Sequence, residues 1–145
     1  MNNRLRNLGF LIKDVARLYV KYFERQATQH GLTLGHCKVL MMLSRNQGAT
    51  QAKLAELSET DPMTLVRTLD RMEGDGWLER QPDPEDRRAH RLYLKPAAKP
   101  LIEDIQRLGD KARAEVLAGL SNEERLQLLE LIERVHANLT QLVSK

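Results

Sequence analysis

The sequence predicts a mostly α-helical chain with one small β-hairpin: a winged helix-turn-helix flanked by N- and C-terminal dimerisation helices. Three observations predict it. Apolar residues recur three and four apart near both ends, two short helical segments flank a breaker in the middle, and the period then drops to two around a polar loop. With 145 residues and 41% apolar content the chain can bury one core, and the 4% aromatic share makes that core aliphatic.

Taken in order, Leu5, Leu8, Ile12, Val15, Tyr19 and Tyr22 form a seam on one face of a helix that Gly31 stops, so residues 1–31 read as an N-terminal dimerisation helix. Leu34 to Leu43 is a strongly apolar helix ending near "NQG" at 46–48. Thr50 caps "QAKLAELSE", which turns Leu54, Ala55 and Leu57 inward. "TDP" at 60–62 then breaks that helix and starts another, with Asp61 as N-cap and Pro62 at the first helical position. This second helix runs to Gly74–Gly76 and is expected to bury Leu65, Val66, Leu69 and Met72.

"WLERQ" (77–81) and "RLYLK" (91–95) read as strands, with Leu78 opposite Leu92 or Leu94, and Pro82 to His90 forms the tip between them. The wing is thus 77–95, inside a DNA-binding lobe spanning 32–95. Pro96 and Pro100 open a helix whose body is 101–119. Ser121 with Glu124 makes a capping box for the last helix, which repeats the seam as Leu128, Ile132, Val135, Leu139 and Leu142. Residues 96–145 complete the dimerisation region, and the whole is expected to be one structural domain. Long seams at both ends predict a homodimer in preference to packing within one chain.

No apolar run approaches a membrane span and "MNNRLRNLGF" lacks a signal-peptide core, so the chain reads as cytoplasmic, with no membrane partner. One cysteine, Cys37, excludes an intramolecular disulfide and a CxxC metal site. Four scattered histidines show no HExxH spacing, and neither a phosphate loop nor a nucleophile elbow is present. No catalytic residue, cofactor or metal is therefore expected.

The net charge of +3 hides an uneven distribution. Residues 1–49 carry +6, residues 50–95 carry −2 and residues 96–145 carry −1. The central lobe is not basic overall, so a nucleic-acid reading depends on where its charges sit. On the 62–74 helix the outer stripe is Thr64, Arg67, Thr68 and Arg71, with Met63 a turn before Arg67. Entering a major groove N-terminus first, that helix would present Thr60, Met63, Thr64 and Arg67 to base edges, with Arg67 bidentate to a guanine. Thr50, Gln51 and Lys53 at the preceding helix start suit phosphate contacts.

The stretch "DPEDRRAHR" (83–91) supplies the rest. Arg87, Arg88 and Arg91 follow one another with no acid between, and Asp86 is placed to hold the Arg88 guanidinium forward in a fork-type ion pair. An arginine on a thin β-tip suits a narrow, A·T-rich minor groove. A helical dimer acting only as a protein–protein adaptor, without DNA binding, is the alternative; it accounts for the end helices and leaves the arginine tip unexplained.

"LVRTLDRMEGDGWLERQPDPEDRRAHRLYL" (65–94) resembles the recognition helix and wing of MarR family transcriptional regulators, and "LVRTLDRME…DRRAHR" is similar to their SlyA-like branch. In that family the wing carries Asp-x-Arg followed by a strand ending Leu-Thr; here these are Asp86-Arg87-Arg88 and Leu94-Lys95. The resemblance implies a homodimer on a pseudo-palindromic, A·T-rich operator in double-stranded DNA, Arg88 in the minor groove and the 62–74 helix in the major groove. It also implies a small aromatic or carboxylate effector, for which Arg17, Tyr22, His36, Cys37 and Met41 are the candidate residues. Repression by occluding a promoter is the default mode for such a dimer. A redox-sensing regulator using Cys37 is a further alternative, although the thiol lies on an apolar helix rather than in a reactive setting.

Overall fold

The structure, a computed structural model, describes residues 2–145 and divides into two compact units, one running to Asp110 and one over Lys111–Lys145. In the first, α1 (Asn3–Arg6) is a single turn capped by Asn2, and α2 (Leu8–Gln29) follows after Asn7. The single N-terminal helix expected from the seam is thus broken once, at an asparagine with φ −91° and ψ 2°. Asparagine is a poor helix interior residue because its short amide competes for local backbone bonds.

The helix α3 (Leu34–Arg45) starts where the Thr33 hydroxyl accepts the His36 N–H at 3.1 Å. Thr50 does the same for α4 (Gln51–Ser58), accepting from Lys53 N–H at 3.1 Å. Asp61 caps α5 (Pro62–Gly74) through the Thr64 N–H at 3.1 Å, with Pro62 at the first turn where its missing N–H costs nothing. Between α4 and α5 the chain reverses at Glu59, which sits at φ 51° without being glycine. Leu40, Leu43, Leu54, Leu65, Leu69 and Met72 converge from the three helices into one aliphatic core. Val66 was expected in that core and is 40% exposed instead. It follows Leu65 by one residue, and a 100° step carries it off the buried stripe.

The hairpin β1 (Leu78–Pro82) and β2 (His90–Leu94) closes this core from below, with Leu78 opposite Leu94 and Arg80 opposite Leu92. Its ends differ by one residue from the expected strands, yet Lys95 N–H still donates to the Trp77 carbonyl at 2.9 Å. The loop before α4 adds a third line of pairing: Gly48 N–H to Leu92 O at 2.8 Å and Leu92 N–H to Ala49 O at 2.9 Å. Gly48 has φ +83°, and a Cβ there would stand 3.2 Å from the Tyr93 hydroxyl. Glycine meets both constraints without strain.

A 3-10 turn at Pro96–Ala98 leads into α6 (Lys99–Val116), which ends three residues earlier than the sequence suggested. Within the second unit, the Arg125 guanidinium donates to the carbonyls of Leu120 and Leu117, closing the turn between α6 and α7 (Asn122–Val143). The capping box of Ser121 and Glu124 forms in both directions. No residue of α7 is buried, and its seam residues Leu128, Ile132, Val135, Leu139 and Leu142 are all exposed. The same holds for Leu8, Ile12 and Val15 of α2 in the first unit. Among the described residues no helix is long and apolar enough to cross a membrane.

Candidate nucleic-acid interface

The first face to consider is the outer side of α5. Burying Leu65, Leu69 and Met72 forces Met63, Thr64, Arg67 and Arg71 to the opposite side, and all four are exposed, Met63 by 69%. Thr68 turns its hydroxyl back to the Thr64 carbonyl at 3.1 Å, and the Thr64 hydroxyl lies 3.4 Å from the Asp61 carboxylate. The Arg67 and Arg71 guanidinium groups have no hydrogen-bond or ion-pair partner among the described residues.

The three predicted phosphate-contacting residues ahead of α4 differ in what remains available to a ligand. Thr50 is half-buried and occupied as the cap, Lys53 is exposed 3.7 Å from Glu56, and Gln51 gives its amide oxygen to Arg80. Gln51 therefore keeps only its amide N–H donors. Thr60 is half-buried as well, its hydroxyl donating to the Ser58 carbonyl at 3.2 Å.

The wing tip corrects one expectation. Asp86 makes no ion pair with the Arg88 guanidinium; its carboxylate accepts the Arg88 backbone N–H at 2.9 Å, and its carbonyl accepts from Ala89 at 3.1 Å. The acid shapes the turn instead of aiming the arginine. Two residues of separation favour this local bond over a reach to the end of a long side chain. Arg87 and Arg88 are left exposed at the tip, without side-chain partners among the described residues. Arg91, grouped with them in the sequence reading, is half-buried and held by partners. Its Nε lies 3.5 Å from the buried Asp83 carboxylate, and its guanidinium donates to the Gly48 carbonyl at 3.1 Å. It anchors the hairpin to the loop before α4.

Arg80 escaped the sequence reading altogether. Its guanidinium meets Asp70 at 2.8 Å and Glu73 at 3.3 Å on α5, and Gln51 at 2.6 Å on α4, with its side chain 15% exposed. The signal was present: in a strand with Leu78 inside, the residue two further on shares that face, and a charge there must find partners. These contacts also account for half of the ten acids of the central lobe. Asp70 and Glu73 are paired with Arg80, Asp83 with Arg91, and Asp61 and Asp86 with backbone N–H groups. Among the described residues the unpaired charges on α5 are arginines, and at the tip Arg87 and Arg88 outnumber the one unpaired acid, Glu85.

The candidate effector residues do not form a comparable cluster. Arg17 is exposed and pairs along its own helix with Asp14 at 3.4 Å. Cys37 is buried in the core and Met41 packs against it, while Tyr22 is half-exposed on α2. His36 sits edge-on to Trp77, ring centres 5.7 Å apart, and its Nδ1 is buried without a partner. Burial lowers the His36 pKa, helped by the charge of Arg71 and opposed by Asp75. Burial also pushes the Cys37 thiol up to about 11, which disfavours the reactive thiolate near neutral pH. A separate open pocket of about 510 Å³, lined by Ser44, Gln47, Leu94, Lys95, Lys99 and Ile102 among others, contains none of these five residues.

The sequence profile of the MarR family matches residues 32–90, the segment from the start of the core helices to the second wing strand. The transcriptional regulator PA3341 is 32% identical, with a TM-score of 0.78 over 92% of this chain and 98% of that one. Wild-type apo MarR from E. coli is 27% identical, with a TM-score of 0.81 over 88% of this chain and 95% of that one. A mutant of the same E. coli protein, complexed with operator DNA, matches at 27% identity and a TM-score of 0.75 over 92% and 96%.

Proposed function

This chain belongs to the MarR family of DNA-binding transcriptional regulators, and on that premise we propose that it binds a pseudo-palindromic, A·T-rich operator as a homodimer. In this reading α5 enters the major groove, where Arg67 reads a guanine while Met63 and Thr64 offer methyl groups to thymine. Arg88 enters the minor groove from the wing tip, with Arg87 beside it, and Lys53, Gln51 and Thr50 approach the phosphates. The single observation that carries the proposal is the sorting of charge: the acids on α5 and at the hairpin base are paired, whereas Arg67, Arg71, Arg87 and Arg88 are exposed without a hydrogen-bond or ion-pair partner among the described residues. The likeness to an E. coli relative complexed with operator DNA supports duplex DNA as the partner.

A homodimer is supported by the unburied seams of α2 and α7, each too apolar to be left in water. The wing residues "DRRAHR" support the SlyA-like branch, and occlusion of a promoter makes repression the default mode. Modulation by a small aromatic or carboxylate effector rests on the unpartnered His36 Nδ1 beside Trp77 and tests separately, by titrating benzoate into the complex with DNA.

Selection of bound fragments from random duplex, followed by affinity measurements across a salt series, tests the proposal. The expected result is a two-fold-symmetric motif, with affinity falling steeply as salt rises because several phosphates are neutralised. Absence of any sequence preference over random duplex would defeat the regulator reading and leave the adaptor alternative.

A further inference from the structure

Arg80 has no counterpart among the residues assigned to DNA contact, yet it links more of the reading apparatus than any of them. Beyond Asp70, Glu73 and Gln51, its guanidinium lies 3.5 Å from the Val66 carbonyl, and its own backbone N–H donates to the Glu73 carboxylate at 3.0 Å. One strand residue thus holds the middle and end of α5 and the first turn of α4.

We infer that Arg80 is a positioning residue for DNA binding, pairing with Asp70 and Glu73 so that α5 presents only positive charge to the duplex. This rests on the DNA-binding reading above. The two carboxylates are far from hidden: the Asp70 side chain is 62% exposed and the Glu73 side chain 42%. Unpaired, they would repel phosphate on the helix that enters the groove. Asp70 also lies three residues after Arg67, the spacing at which helical side chains pair. Two cations therefore compete for Asp70. Arg80 wins because its guanidinium is mostly buried and already fixed by Gln51 and Glu73, whereas an exposed pair with Arg67 would be weak and would hold a mobile side chain in place. Arg67 stays available for a base because Arg80 occupies the acid beside it.

The inference separates Arg80 from a direct phosphate ligand. Replacing a phosphate ligand lowers the salt slope by about one, and neutralising other residues does not restore it. For a positioning residue the slope holds, and removing the acids it neutralised restores binding. The experiment compares full-length wild type, Arg80→Gln, and the triple variant Arg80→Gln/Asp70→Asn/Glu73→Gln on the duplex selected by wild type, with helicity monitored by circular dichroism. Arg80→Gln is expected to bind about tenfold more weakly at an unchanged slope, and the triple variant to recover to within about threefold of wild type. Should the single variant fail to fold, the triple variant, which leaves no charge unpaired, still gives the reading. A triple variant that folds but stays about tenfold weak with a slope lower by about one would make Arg80 a phosphate ligand and overturn the inference, as would wild-type affinity in the single variant. Wild type that selects no duplex would overturn the regulator reading itself, a failure distinct from variants that misbehave while wild type binds.

Discussion

The base and the tip of the wing are built from the same residue types used in opposite ways. At the base, both arginines are held in ion pairs: Arg80 with Asp70 and Glu73 on the hairpin face of buried Leu78 and Leu92, and Arg91 with Asp83 on the opposite face. At the tip, Arg87 and Arg88 stand exposed, and the nearby Asp86 is occupied by a backbone N–H. An arginine near an acid in sequence is therefore not evidence of what that arginine does. Strand alternation puts Arg80 on the core face beside Leu78 and Arg91 on the other face, where Asp83 and the Gly48 carbonyl hold it, and the turn decides which acids are consumed by the backbone. The lobe is a frame carrying a reading surface, and Arg80 joins the two; away from that link, a substitution in one should leave the other largely untouched.

The frame should respond most strongly. Leu92 is fully buried opposite Arg80, so Leu92→Ala removes core volume beneath the hairpin and should destabilise the protein by about 2–5 kcal/mol in urea unfolding. A loss below about 1 kcal/mol would mean the hairpin is not part of the cooperative core.

The reading surface should respond next, in binding alone. Arg88→Ala and Arg67→Ala should each weaken operator binding by about 1–3 kcal/mol while changing stability by no more than about 0.5 kcal/mol, since neither side chain has a partner to lose. The two should differ in kind. Arg67→Ala relaxes preference at one base position per half-site, whereas Arg88→Ala lowers the salt slope by about one with A·T-flanked sites most affected. Sequence-independent losses of equal size from both would erase the distinction between helix and tip.

Much of the frame was legible because its signals are local. Thr50, Asp61 and Ser121 each cap the helix their position suggested, since the bond spans three residues and depends on little else. The wing register was narrowed to two choices and the structure selects Leu78 opposite Leu94. What escaped was long-range pairing. The Arg80 contact with Gln51 spans 29 residues and the Arg91 contact with Gly48 spans 43, so no local window shows either. The Asp86 error has a different cause: two plausible acceptors were in reach, and the backbone N–H was favoured because it is already held in place by the turn. For the effector residues, helical spacing put His36, Cys37 and Met41 on one helix, but could not tell core from cleft.

A smaller effect sharpens the independence of frame and surface. Glu59 adopts φ 51° at the turn between α4 and α5, where a side chain costs conformational energy that glycine avoids. Glu59→Gly should raise stability by about 0.5–1 kcal/mol in urea unfolding and should not weaken DNA binding. Lost affinity in a more stable variant would show that the turn tunes how α5 is presented.

The smallest expected effect concerns a residue at the boundary of the two regions. His36 belongs to the frame through Trp77, yet feels Arg71 of the reading helix, and its pKa is lowered chiefly by burial and then by that charge, with Asp75 opposing. A lowered folded-state pKa means the neutral ring is preferred in the native protein, so its contribution to stability is present above the ordinary value of about 6.5 and is lost as pH falls below it. Stability should therefore decline more steeply between about pH 6.5 and 5.5 in wild type than in His36→Gln, which cannot titrate there. Parallel unfolding midpoints for the two proteins across that window would show that His36 ionises as freely as it does in the unfolded chain. A wild-type excess that disappears in Arg71→Gln would instead assign the pH dependence to the charge of the reading helix, marking this as the place where frame and surface are coupled.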